Sequence, residues 1–327
     1  MRVLYYIKYM LSLMTWKRKE KTEWKRSVFM KRIRMCLVYL LVLAAVLPIT
    51  GCSSGKKDST VIVGAKNYTE SLLTGEIMAQ LLETKTDLTI ERKFNLAPAV
   101  CFESVQKGEI DLFPEYTGGA LIHYLKMDLI NDPDEVYNVV KEEYKKQYDL
   151  IWLESLGFNN TYANAVRKDF AEKNNIKTDS DLAPFTPDLV YGAEHGYLDR
   201  EDGYYPMCDL YGYQFKKTLQ MDIGLIYQSL DQGDMDVANV YTTDGLLYQY
   251  DLVVLEDDKH YFPSYYCAPV VRNDTLTRYP EIAEALSVLK NCATEQDMIK
   301  YNYMVDGQKM EIEDVADIFM KDHGWKQ

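Results

Sequence analysis

From residue 60 onward the apolar positions alternate between two periods. The stretch "TVIVGAK" (60–66) is a nearly continuous apolar run of strand length, while "ESLLTGEIMAQLLE" (70–83) spaces Leu73, Ile77 and Leu81 four apart, one face of a helix. A strand over "DLTIERKF" (87–94), a helix ending near Gly108 and a further strand follow. The second half repeats the theme with a strand at "DLVYGAE" (188–194), a helix around "YGYQFKKTL" (211–219), a helix ending near Gly233 and another strand. "PVVRND" (269–274) follows. Two helices then finish the chain, one opened by Pro280 with Ile282, Leu286 and Leu289 inward, the other running through Val315, Ile318 and Phe319 to Gly324. Strand and helix in alternation predict an α/β fold of parallel units.

Within that alternation one pattern occurs twice. "KGEIDLFPEYTG" (107–118) and "QGDMDVANVYTT" (232–243) share Gly108 and Gly233, Asp111 and Asp236, Tyr116 and Tyr241, and Thr117 and Thr242, all offset by 125 residues. In each copy a helix stops at a glycine suited to a left-handed cap. A turn follows, and a strand carries the chain to a tyrosine at its C-terminal end, the edge where open α/β sheets bind ligands. Two similar lobes would set Tyr116 and Tyr241 across a cleft. The spacing alone is equally compatible with ordinary turn grammar and tyrosines that merely pack.

The N-terminal segment has a different pattern. From Met30 a basic start (Lys31, Arg32, Arg34) leads into an apolar run from Leu37 to Leu47 and then small residues ending at Cys52. This is the layout of a secretory signal peptide, and its run is shorter than the roughly 20 residues of a spanning helix. "PITGC" resembles the lipobox of bacterial lipoproteins, which implies a lipidated Cys52; a short membrane anchor with a chance Gly-Cys is the alternative. Residues 1–51 are therefore read as leader and signal peptide, with translation starting at Met30 or Met35, and residues 52–59 as a lipidated linker. Without residues 1–51 the chain carries 26 basic against 48 acidic residues, a net of about −22. Such a surface repels nucleic acid and anionic headgroups. Cys101, Cys208, Cys267 and Cys292 are spaced too irregularly for a zinc site or a dense disulfide framework.

Several stretches, in order, carry a resemblance: "VGAKNYTE", "GEIDLFPEYTG", "WLESLGFNNTYANAVR", "GAEHGYLDREDGY", "MDIGLIYQSLDQGDMDV", "TTDGLLYQYDLVVLEDDK" and "FPSYYCAPVVR". From about residue 60 to its end the chain resembles the substrate-binding proteins of osmoprotectant ABC importers, the binders of glycine betaine, carnitine and choline. The resemblance implies a two-lobed periplasmic-binding-protein fold of type II, a clamshell with two interlobe crossings. Residues 60–160 plus 264–327 would form lobe 1 and residues 161–263 lobe 2. It implies a tyrosine cage for a quaternary ammonium group, carried over onto Tyr116, Tyr162, Tyr241 and Tyr265, with Lys66 and Arg200 as partners for a ligand carboxylate. Lys66 as a solvated residue after a strand, and Arg200 paired with Glu201 or Asp202, are the competing readings. Aromatic residues suit such a ligand, because a trimethylammonium group is permanently charged yet has no N–H donor, and each aromatic face attracts it by roughly 0.5–2 kcal/mol.

Three departures from the family pattern bear on specificity. Gly119 stands where Thr or Asp is common, Ala97, Pro98 and Ala99 stand where Gly-Gly-Thr is usual, and Ser71 replaces a frequent Gln. The implied partners are a permease and an ATPase, with the membrane reached through the N-terminal lipid. The protein is expected to be extracytoplasmic and monomeric, with no nucleic acid, cofactor or metal. Catalysis is not expected: the four histidines are scattered, and no nucleophile elbow, P-loop or H-E-x-x-H pair occurs. An enzyme or sensor on the same scaffold is the alternative.

Overall fold

The computed structural model describes residues 59–130, 132–200 and 203–326. The leader and Cys52 lie outside the described residues. Strand β1 (Thr60–Lys66) leads into helix α1 (Thr69–Lys85), strand β2 (Thr89–Leu96), helix α2 (Pro98–Lys107) and strand β3 (Leu112–Tyr116). Helix α3 (Pro133–Tyr148), whose Asp132 accepts from the Glu135 amide as an N-cap, precedes β4 (Leu150–Trp152). A second series follows, with β5 (Tyr162–Arg167), β6 (Val190–Ala193), α4 (Tyr204–Tyr211), β7 (Lys217–Gln220), α5 (Ile223–Gln232), β8 (Val237–Tyr241) and β9 (Leu252–Val254). Strand β10 (Cys267–Arg272) and helices α6 (Glu281–Leu286), α7 (Glu295–Asp306) and α8 (Ile312–Asp322) complete the described chain.

The described strands form two five-stranded sheets, ordered β2-β1-β3-β10-β4 and β7-β6-β8-β5-β9. Both have the same plan. Three strands run parallel, and the fourth and fifth positions are filled through antiparallel pairs, β3–β10–β4 in one and β8–β5–β9 in the other. The sheets are therefore mixed rather than wholly parallel. In each, the strand that follows the repeated glycine occupies the centre.

The repeat extends to its hydrogen bonds. Gly108 and Gly233 cap α2 and α5 in the left-handed region, with φ of 74° and 81°. Asp111 Oδ2 accepts from the Ile62 amide at 2.8 Å, and Asp236 Oδ2 from the Val190 amide at 2.9 Å. Each aspartate thus pins the turn to the first strand of its own parallel unit. Thr117 Oγ1 donates to the Ser264 carbonyl at 2.8 Å and accepts from the Tyr266 amide at 3.0 Å. Thr242 Oγ1 donates to the Asn159 carbonyl at 2.6 Å and accepts from the Thr161 amide at 3.1 Å. The two stretches held this way, 159–161 and 263–266, are the connections between the sheets. They lie side by side, with the Asn160 amide bonded to the Tyr265 carbonyl and Asn159 Oδ1 accepting from the Tyr265 amide.

Leu73, Ile77 and Leu81 are fully buried, and they share one core with Ile282, Leu286, Leu289, Val315 and Phe319; Ile318 packs against it. Helix α1 is buried well beyond that stripe, taking in Glu70, Ser71, Thr74 and Glu76, because the sheet covers one side of it and α8 another. One expected element is corrected. "YGYQFKKTL" is not a helix: α4 ends at Tyr211, Gly212 takes φ of 74°, and Lys217–Gln220 pairs in parallel with Val190–Ala193. Sheet pairing overrides a local pattern that fits a helix. Among the helices that the pattern did not give are α3 and α7. Helix α3 keeps only Val136, Val140 and Tyr144 buried along a highly charged sequence, and α7 lies between the two terminal helices that were expected.

The four described cysteines are free thiols, with Cys101 and Cys267 buried. Burial pushes Cys101 and Cys292 up to about 12 and Cys208 to about 11, so none of these three is a reactive thiolate at neutral pH.

Two stability results are expected. A Cβ at Gly118 would lie 2.9 Å from the Ser264 carbonyl oxygen and 2.9 Å from the Tyr265 ring, whereas one at Gly119 would meet only that ring, at 3.9 Å. Gly118→Ala should therefore cost about 1–3 kcal/mol in urea unfolding by overpacking, while Gly119→Ala, at a helical φ, should be neutral or stabilise by up to about 1 kcal/mol. Equal losses at both positions would contradict this packing. Asp111→Ala strands the Ile62 amide and the Thr275 hydroxyl, both bonded to that carboxylate. A loss of about 1–3 kcal/mol is expected, read as a lower urea midpoint at unchanged slope.

Candidate functional site

The two central strands end at the repeated tyrosines. Tyr241 is the register partner of Tyr162 at the start of β5, and Tyr116 is the partner of Cys267. The rings of Tyr162 and Tyr241 lie 4.9 Å apart at 34°, and Tyr265, in the second connection, stands edge-on to Tyr162 at 6.5 Å and 82°. Tyr116 pairs with Tyr68 at 6.1 Å and 47°. All five rings line one cleft of about 910 Å³, together with Lys66 and Gly119. Arg200 sits beside it, its Cζ 5.5 Å from the Tyr162 ring centroid. Every expected ligand-binding residue is therefore found in or next to this cleft.

The cleft is predominantly acidic. Glu70, Glu115, Glu194, Asp244 and Asp306 line it, against Lys66 and Lys309. Lys66 is not a free cation: its ammonium is bonded to Glu115, with Lys66 6% exposed and Glu115 fully buried. It also lies 5.6 Å from the Tyr116 ring centroid. Burial pushes the Asp244 carboxyl up to about 6, even though it accepts from the Leu246 amide.

The tyrosine hydroxyls are tied down. Tyr116 donates to Glu70 Oε1 at 2.8 Å, and Tyr241 donates to Glu194 Oε2 at 3.2 Å. Desolvation raises both hydroxyls well above the ordinary phenol range, so both are neutral donors at physiological pH. Their hydroxyls fix the rings and leave the faces for contact.

Sequence reasoning did not anticipate the carboxylates behind the rings, nor Tyr68, Asn160 and Asn302. Asn302 comes from α7, a helix absent from the pattern reading. Glu70 left a faint signal, a lone acid in the first turn of a helix that is otherwise buried. Of the departures, Ser71 is buried and its hydroxyl accepts from the Lys66 amide at 2.9 Å. Pro98 occupies the first turn of α2 and also lines the cleft.

Residues 59–322 match the family described as the substrate binding domain of the ABC-type glycine betaine transport system. A carnitine transport binding protein of Listeria monocytogenes is 33% identical over 303 residues, 90% of this chain and 98% of that one. An ergothioneine transport permease/ergothioneine binding protein of Helicobacter pylori is 34% identical over 272 residues, 81% of this chain but 48% of that longer one. A crystal structure of a glycine betaine/carnitine/choline ABC transporter protein superposes with a TM-score of 0.78 at 32% identity, covering 81% of this chain and 99% of that one. Two lobes of identical sheet order, joined by paired connections over a tyrosine-lined cleft, agree with these matches. The chain belongs to the family of substrate-binding domains of ABC-type glycine betaine transport systems.

Proposed function

We propose that this chain is the extracytoplasmic solute-binding component of an ABC importer. It captures a quaternary ammonium compound between its lobes in a cage of Tyr116, Tyr162, Tyr241 and Tyr265 and delivers it to the permease and ATPase. The observation that carries this reading is the convergence of those four rings on a cleft with excess carboxylate and with its buried lysine already neutralised. Four ring faces at roughly 0.5–2 kcal/mol each supply much of the roughly 8 kcal/mol that micromolar binding requires. The protein is read as a monomeric binder, not a catalyst, held at the membrane by a lipid on Cys52; no described helix is long and apolar enough to cross a bilayer.

For a ligand carboxylate we assign Arg200, which stands beside Tyr162 and whose planar guanidinium, unlike a lysine ammonium, matches both oxygens at once. Gly119 leaves the space of a side chain open against Tyr265. It offers neither a hydroxyl for a short ligand's carboxylate nor an acid for the hydroxyl of choline. The preferred ligand is therefore a longer carboxylated quaternary ammonium compound such as carnitine.

A thermal-shift panel of glycine betaine, proline betaine, choline, carnitine, butyrobetaine and ergothioneine tests this. Stabilisation grows as RT ln(1 + [L]/Kd), about 2.7 kcal/mol at a hundredfold excess over Kd. A carboxylated long-chain compound should shift the protein most and be recovered unchanged. Choline shifting it most, with carnitine inert, would overturn the reading of Gly119. Gly119→Asp should move preference toward choline, and Gly119→Thr toward glycine betaine.

The cage itself is tested by substitution. Tyr116→Ala and Tyr241→Ala should each weaken binding by about tenfold or more, the equivalent of one ring face at about 1.4 kcal/mol. Phe at either position should cost no more than about threefold by calorimetry, well short of the loss with Ala. Phe proving as damaging as Ala would replace the ring-face account by one resting on the hydroxyls.

A further inference from the structure

Glu70, in the first turn of α1, is 4% exposed and lines the cleft. Its Oε1 accepts from the Tyr116 hydroxyl at 2.8 Å and from Asn160 Nδ2 at 2.8 Å, and its Oε2 accepts from Asn302 Nδ2 at 3.0 Å. The Thr243 side chain adds a further hydrogen bond. Every one of these groups offers a proton. A carboxylate is a pure acceptor, whereas a protonated carboxyl would need an acceptor for its own hydrogen, so the surroundings are built for the ionised form. The amino end of α1 favours the same charge. Burial acts in the opposite direction and outweighs the donors, so the carboxyl's pKa is raised on balance, which a cation bound nearby would offset.

A counterion is missing from this arrangement. Among the described residues no lysine, arginine or histidine forms an ion pair with Glu70, and Lys66 is engaged by Glu115. A buried charge supported by dipoles alone is costly unless an opposite charge joins it. The void beside it is the cleft, which Glu70 and the Tyr116 ring both border, and the Tyr116 hydroxyl is hydrogen-bonded to the carboxylate. A phenol donating to a carboxylate is enriched in electron density, which strengthens the pull of its face on a cation.

We propose that Glu70 is the counter-charge of the bound cation, a positioning residue that acts through Tyr116 rather than by contact. It sets the preference for a quaternary ammonium over a neutral group of the same shape. The inference rests on the cage reading above and adds to it the residue that makes the site select charge. A structural role, in which Glu70 merely ties α1 to the first connection, would affect all ligands alike.

The test compares butyrobetaine with its carbon isostere, a tert-butyl group replacing the trimethylammonium, on the wild-type protein and on Glu70→Gln and Glu70→Asp by calorimetry. Glu70→Gln should weaken butyrobetaine by about tenfold and leave the isostere within about twofold, while Glu70→Asp keeps most of the discrimination. Equal loss for both probes, or no loss for either, overturns the proposal. If Glu70→Gln fails to fold, Tyr116→Phe cuts the bond to the ring and leaves the charge in place. It should lower the discrimination by about threefold, and full wild-type discrimination in that variant overturns the relay. Wild-type protein that binds no compound of the panel would defeat the cage reading, and this inference with it. Tight wild-type binding with unchanged discrimination in the variants would defeat only the role of Glu70.

Discussion

The hydroxyls of Thr117 and Thr242 hold two extended connections against two sheets, and the position of each ring in the cleft follows from that. Each threonine stands one residue past a central strand and binds one of the paired connections, donating to one carbonyl and accepting from one amide. The preceding residue is thereby aimed at the space between the sheets. Tyr116 and Tyr241 come from those strand ends, Tyr265 from a connection, and Tyr162 from the strand that the other connection feeds. Each connection is thereby clipped to the end of one central strand.

The chemistry of the cleft is layered in consequence. Tetraalkylated nitrogen cannot donate a hydrogen bond, so a carboxylate in direct contact would gain only Coulomb attraction while losing its hydration. Glu70 and Glu194 instead accept hydrogen bonds from phenol hydroxyls, which leaves ring faces beside the acids. The Lys66–Glu115 pair removes what would otherwise be a repulsive cation from the floor of the site. Asn302 bonds both Glu70 and the Thr243 carbonyl, so the same network that orients Tyr116 reaches the chain just beyond β8.

Much of this was legible in the residues themselves. The 125-residue offset of Gly, Asp, Tyr and Thr follows from geometry that any two copies of the unit must satisfy: a left-handed helix end, a carboxylate for the first strand's amide, a ring at the strand end and a hydroxyl for the connection. The apolar spacing of α1, α6 and α8 located their buried faces because burial on one side leaves a periodic trace. The four tyrosines found at the cleft were reached through ordered resemblance, since spacing alone left them indistinguishable from packing residues.

What the linear pattern could not contain depends on contacts between distant segments. Lys217–Gln220 is a strand because a parallel neighbour offers it backbone partners, although its local sequence suits a helix. Lys66 and Glu115 lie 49 positions apart and neutralise each other only once β1 and β3 are adjacent. Glu70 and Asn302 are separated by 232 positions, and nothing in either neighbourhood announces the other. The sequence by itself determined many of the elements, the repeat and the residue types suited to a permanent cation, because those depend on local sterics and side-chain chemistry. The tertiary structure alone decided which charges are cancelled and which stand buried behind a ring, because electrostatic pairing depends on distance in space and on the exclusion of water.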